Sequence, residues 1–145
     1  MAGVGTYLNF PDSTEEVFAF YKSVFGTEYS APIQRFKDLP AVPGMPPVPP
    51  GVSNLVMHIE LPLMGGHVLH GSDAPEAFGF KVSHGNGVNI LLEPDTRAEA
   101  DRIFAALSEG GVVEMPLQDM FWGAYFGNFT DRFGIRWMLS VAKKT

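Results

Sequence analysis

The sequence predicts an α+β fold made of two similar halves, each running strand–helix–strand–strand–strand. Two observations carry this. First, a Pro-Asp pair, a helix cap and an apolar stripe occur twice in one register: Pro11-Asp12 returns as Pro94-Asp95. Second, both copies are flanked by short apolar stretches of strand composition, separated by glycine- and proline-rich turns.

The helix signals are local. Ser13-Thr14-Glu15-Glu16 and Thr96-Arg97-Ala98-Glu99 both have the form S/T-x-x-E. That is a capping box, in which the hydroxyl accepts from the third helical N–H and the glutamate reaches back to the cap. Behind the first box Val17, Phe20, Tyr21 and Val24 fall at helical spacing; behind the second, Ala100, Ile103, Phe104 and Leu107 do. Each set marks one face of an amphipathic helix. Gly26 and the pair Gly110-Gly111 supply the stops.

The predicted strands follow in order. Val4–Phe10 precedes the first helix; Glu28–Phe36, Asn54–Leu61 and His67–Gly71 follow it. Val88–Glu93 precedes the second helix; Val112–Met115, Phe121–Phe129 and Ile135–Val141 follow it. The halves span about residues 1–75 and 84–145 of one domain. Neither half has enough apolar surface to close a core alone, so two halves must pack, within the chain or across a homodimer. Each mixed sheet is then covered by a helix on one face and free to line a cavity with the other.

Composition narrows the function classes. At 145 residues the chain is one domain long, enough to bury roughly 68–70% of its unfolded surface. It is 46% hydrophobic and 18% charged, the balance of a globular chain. With no cysteine there are no disulfides, thiolate metal sites or thiol nucleophiles. Ten basic residues against sixteen acidic ones leave a net charge of −6, which argues against nucleic acid as a partner. Leu39–Ile59 carries no charged residue, but six of the twelve prolines lie between Pro40 and Pro50. Each proline removes a backbone donor that lipid cannot replace, so this is a loop and not a span. Without a signal-peptide pattern at the N-terminus, the expected location is cytoplasmic.

A further set of residues carries a family resemblance. Tyr7-Leu8-Asn9-Phe10, the Glu15–Gly26 run, Met57-His58-Ile59-Glu60-Leu61 and Gly71-Ser72-Asp73-Ala74-Pro75 are its first half. Met115-Pro116-Leu117, Phe121-Trp122-Gly123 and Thr130-Asp131-Arg132-Phe133-Gly134-Ile135-Arg136-Trp137-Met138 are its second. Together they resemble the glyoxalase/bleomycin-resistance, or vicinal oxygen chelate, superfamily, and within it the PhnB-like branch. The resemblance implies βαβββ repeats whose sheets curve into a cup, and a homodimer. It also implies four metal-ligand positions in the metal-dependent members. Those positions fall on Gly5 (or Thr6), His70 (or Leu69), Asn89 and Met138, of which only His70 is a good ligand. The expectation is therefore a protein with no metal cofactor at that centre.

Histidines outside that set still need placing. His58 and Glu60 alternate on one strand and share a face. A two- or four-residue turn after Leu61 would put His70 on the opposite face, and an odd-length turn with a bulge would bring it round to them. His67 and His70, three apart on a strand, point to opposite faces, and His84 lies in a glycine turn.

Three functional readings follow. The leading one is metal-independent binding of a small, partly aromatic or apolar ligand in a pocket of Tyr7, Asn9, His70, Asn89, Trp122, Tyr125 and Met138. Trp122, at a loop-to-strand corner, is the ring best placed to wall it. The rival is an enzyme, a lyase, isomerase or dioxygenase, with a divalent metal held by His58, Glu60 and His70, or with His58 and Glu60 as an acid–base pair. The third is an interaction module using the proline loop as an extended contact segment. Methyltransferase chemistry finds no support, because the chain has no glycine-rich loop for a nucleotide-like methyl donor.

Overall fold

The computed structural model describes residues 2–40, 43–44 and 48–142. The chain forms two compact units, residues 1–83 and 84–145, and the second begins where the sequence places its second half. In the first unit the strands are β1 (Thr6–Phe10), β2 (Gln34–Arg35), β3 (Val56–Pro62) and β4 (Val68–Asp73), with helix α1 (Thr14–Phe25). In the second they are β5 (Ile90–Leu92), β6 (Val112–Asp119), β7 (Tyr125–Thr130) and β8 (Arg136–Val141), with helix α2 (Arg97–Ser108). The sheet orders are β1-β4-β3-β2 and β5-β8-β7-β6, so the two halves repeat one topology. In each, the first strand runs parallel to the last and the other pairings are antiparallel. Both are mixed sheets, and the chain has the α+β architecture that the repeat predicts.

Each helix covers one face of its sheet. Ile59, Leu61 and Leu69 meet α1 from below, while Trp137, Leu139 and Phe129 meet α2, all at 0–1% exposure. On α2 the buried residues are Ala100, Ile103, Phe104 and Leu107, the predicted stripe. On α1 they are Thr14, Val17, Phe18, Tyr21 and Val24, so Phe18 replaces the predicted Phe20. The reason lies in the sheet. Gly71 leaves a gap on β4, and a Cβ there would stand 2.7 Å from the Phe18 ring.

The two caps differ although their sequences match. Thr96 Oγ1 accepts from the Glu99 N–H at 3.1 Å, while the Glu99 carboxylate turns to Arg102. Ser13 makes no side-chain cap bond. Its place is taken by the buried carboxylate of Asp73, which accepts from the Thr14 N–H at 3.0 Å and the Val56 N–H at 2.8 Å. An ionised acceptor is stronger there than a hydroxyl, and it ties α1, β3 and β4 together. Asp131 does a related job in the second unit, accepting from the N–H groups of Phe133 and Ile135 and from Trp137 Nε1.

Several strands are shorter than predicted, among them β5, which keeps only Ile90–Leu92 of Val88–Glu93. Of Glu28–Phe36 only Gln34–Arg35 pairs as β2, and Phe36–Asp38 is a 3₁₀ turn. Phe121–Phe129 starts as a strand only at Tyr125, because the Met120 N–H bonds to the Ala124 carbonyl and Gly123 takes φ +98° in the turn between them. The proline loop ends in a 3₁₀ turn at Pro50–Val52; its residues 41–42 and 45–47 lie outside the described residues, and with them part of the predicted contact segment. Among the described residues no helix is long and apolar enough to cross a membrane.

Candidate functional site

The site is built by one hairpin. β3 alternates, so Ile59 and Leu61 enter the core while His58 and Glu60 face away from α1. The chain reverses through Met64, Gly65 and Gly66, closed by the Leu63 N–H on the His67 carbonyl at 2.8 Å. Gly65 and Gly66 have φ of +64° and +78°, a conformation that only glycine adopts without strain. Three turn residues make an odd loop, which pairs Glu60 with His70 directly across the strands. The register left open after Leu61 is thereby decided. His70 joins His58 and Glu60, and regular pairing suffices to bring it there.

The resulting group is close. Glu60 Oε1 lies 3.1 Å from His58 Nε2 and 3.6 Å from His70 Nδ1. Ser30 Oγ donates to the other oxygen, Oε2, at 3.0 Å. The hydrogen bond from His58, then that from Ser30, holds the Glu60 carboxyl below the usual glutamate value of 4.5. All three side chains are roughly 30% exposed, neither core nor fully solvated.

Tyr7 on β1 completes the face. It pairs with His70 in the parallel ladder, and the two rings lie within 3° of parallel with centroids 6.1 Å apart. The His58 ring is 6.0 Å from Tyr7 and 5.5 Å from His70, so the three rings form a cluster. Asn9, next on the same face, donates to Ser72 Oγ at 3.0 Å. His67 points the other way, its Nε2 meeting Thr6 Oγ1 at 2.8 Å, and His84 is exposed.

The remaining predicted pocket residues belong to the second unit and divide between two faces. Asn89 accepts from Arg136 Nε at 3.2 Å, and Met138 pairs with Asn128 on the face away from α2. The buried side-chain oxygen of Asn128 has no hydrogen-bond partner among the described residues. Trp122 is 55% exposed, edge-on to Phe126 at 6.1 Å. Tyr125 departs from the prediction: it pairs with Val141 and faces the α2 side, because strand alternation separates it from Asn128. Its hydroxyl donates to Asp101 at 2.5 Å, and Arg97 sits 4.0 Å above its ring while pairing with Asp119. The bond to Asp101 raises the Tyr125 hydroxyl above its usual 10.0. Tyr125, Arg97 and Asp119 border a cavity of about 630 Å³ that also touches Asp95, Thr96 and Val141. Sequence reading missed it, since the bordering residues come from separate elements.

The sequence profile of the "Glyoxalase/Bleomycin resistance protein/Dioxygenase superfamily" matches residues 4–139. The chain belongs to that superfamily. It is 28% identical over 143 residues to "Protein YjdN" of Escherichia coli K12, covering 95% of this chain and 94% of that one. Among solved structures it resembles protein PA1353 from Pseudomonas aeruginosa, with 35% identity, a TM-score of 0.82, and coverage of 99% and 100%. A PhnB protein from Bacillus cereus, described as a putative 3-demethylubiquinone-9 3-methyltransferase, follows at 25% identity and a TM-score of 0.72, covering 97% and 100%. The relatives place the chain in the PhnB-like branch.

The residues present do not fit the superfamily's four-ligand metal centre. Gly5 offers no side chain, and the neighbouring Thr6 hydroxyl is engaged by His67. Leu69 is buried under α1, Asn89 is occupied by Arg136, and Met138 is a soft thioether. Only His70 remains as a donor of the usual kind.

Proposed function

We propose that this chain is a small-molecule-binding protein of the PhnB-like branch whose ligand sits on the open face of the first sheet. The observation that carries this is the Tyr7–His70 stack beside His58, Glu60 and Asn9. An aromatic surface with a few oriented polar groups suits a small, partly aromatic or apolar molecule. Binding of this kind needs no four-ligand metal centre, and the donors at those positions support that reading. The methyltransferase description of the Bacillus cereus relative is not adopted, since this sequence has no glycine-rich loop for a methyl-donor cofactor. We take the working unit to be a cytoplasmic homodimer, which light scattering on the purified chain tests.

The test is a thermal-shift screen of small aromatic and heteroaromatic compounds on tag-free, chelator-treated protein, followed by calorimetry. The expected result is a ligand recovered chemically unchanged whose affinity drops about tenfold in Tyr7→Ala, the loss of one aromatic contact. Ligands indifferent to both Tyr7→Ala and His70→Ala would place binding elsewhere. Conversion of the compound would replace the binding reading with the enzymatic one.

A further inference from the structure

We infer that His58, Glu60 and His70 form a divalent-cation site of the zinc class, which shares His70 with the superfamily's ligand positions and takes its other two donors from β3. The inference rests on the reading that this face is the binding surface, and it names the cofactor that surface holds.

The donor set is the first argument. Two imidazoles and one carboxylate are a standard set for zinc sites that keep a coordination position open. All three donor atoms lie within 4.8 Å of one another. In a tetrahedral zinc site with bonds of about 2.0–2.1 Å, neighbouring donors are separated by about 3.3 Å. The two edges that meet at Glu60 Oε1, 3.1 and 3.6 Å, bracket that value. Closing the third edge takes only rotation of half-exposed imidazoles.

Rigidity is the second. His58 and Glu60 are two apart on β3, His58 pairs with Gln34 of β2 and His70 is the cross-strand partner of Glu60, so the sheet holds all three Cα atoms in place. Ser30 Oγ holds Glu60 by Oε2 and leaves Oε1 turned to the histidines, the outer-sphere support that ligating carboxylates use. The partial exposure of all three leaves room for water or a ligand heteroatom on the open side.

Gly5 accounts for the partial departure from the family positions. A Cβ on Gly5 would stand 3.2 Å from His70 Nε2 and Cδ2, and 2.9 Å from the Val68 carbonyl oxygen. Lack of a side chain at 5 lets the His70 ring lie where its Nδ1 reaches Glu60. The absence of a ligand at position 5 and the gathering of His70 with His58 and Glu60 are thus one structural arrangement.

The experiment uses tag-free full-length protein stripped with a chelator, titrated with Zn²⁺ by calorimetry and with Co²⁺ by visible absorption. The expected result is one equivalent per chain, with the absorption bands of low-coordinate cobalt. That equivalent is lost in His58→Ala, in His70→Ala and in the isosteric Glu60→Gln, each checked for folding by circular dichroism. Ser30→Ala is expected to bind about tenfold more weakly. Absence of saturable binding in the wild type would overturn the inference, as would binding that survives in the His58→Ala/His70→Ala double variant. The small-molecule screen on stripped protein is separate. Ligand binding there with no cation uptake removes this inference alone, and cation uptake with no ligand removes the binding reading alone.

Discussion

Glu60 and His70 stand opposite one another across β3 and β4, with Oε1 and Nδ1 3.6 Å apart, only because the turn between them has three residues. An even turn would have sent His70 to the α1 side and left His58 and Glu60 as an isolated pair. Turn length therefore decides the chemistry of this face, and the left-handed glycines Gly65 and Gly66 decide the turn.

The Glu60 carboxyl is expected to titrate below 4.5 in carboxyl-detected NMR, and to move back up in His58→Ala, less so in Ser30→Ala. The sign follows from linkage: a lowered folded-state value means the native protein binds fewer protons than the unfolded chain. The contribution of Glu60 to stability is complete above the unfolded value. It is lost as pH falls through the folded one. Wild type and Glu60→Gln should thus converge in stability on the acid side of 4.5, as read by urea denaturation at stepped pH.

Two similar caps should respond differently to truncation. Ser13→Ala is expected to change stability by less than about 0.5 kcal/mol, since no cap bond is lost. Thr96→Ala should cost about 1 kcal/mol, the usual value for a working N-cap. Denaturant unfolding of the two variants side by side measures the difference.

Asp73→Ala should cost about 3 kcal/mol, because it leaves the N–H groups of Thr14 and Val56 buried without their charged acceptor. Asp73→Asn, which keeps one acceptor oxygen, should recover part of that. Thermal unfolding that leaves Asp73→Ala near wild type would show that water replaces the carboxylate.

Gly71→Ala is expected to destabilise by about 1–3 kcal/mol through overpacking against Phe18. Combining it with Phe18→Leu should return part of the loss. A double-mutant cycle with no coupling between the two positions would contradict the close contact.

Ionisation of Tyr125 is expected above 10.0 in ultraviolet titration, returning toward it in Asp101→Asn. Here the folded value is raised, so the contribution to stability is present below the unfolded value and is lost as pH rises through the folded one. A Tyr125 titration unchanged in Asp101→Asn would mean the hydroxyl bond is absent in solution.

Much of this was legible in the chain because its signals are local. The repeat of Pro-Asp, cap and stripe marked both helices, and the α2 stripe of Ala100, Ile103, Phe104 and Leu107 is buried as read. Phe18 was missed in favour of Phe20 because the choice depends on a gap at Gly71, fifty-odd residues away and across the sheet. In the sequence Asp73 and Asp131 stand out only as parts of family motifs. Their work as buried acceptors depends on N–H groups brought to them by other elements.

By itself the sequence determined the α+β class, the two halves, the superfamily and the poor donors at its four ligand positions. Composition, helical period and cap spacing are properties of neighbours along the chain, and they survive without a structure. Tertiary structure alone decided that His70 meets His58 and Glu60, that Ser30 supports them, and that Tyr125 turns from Asn89 and Met138. Each of these depends on register. In a strand of period two, a single residue of turn length moves every side chain to the other face.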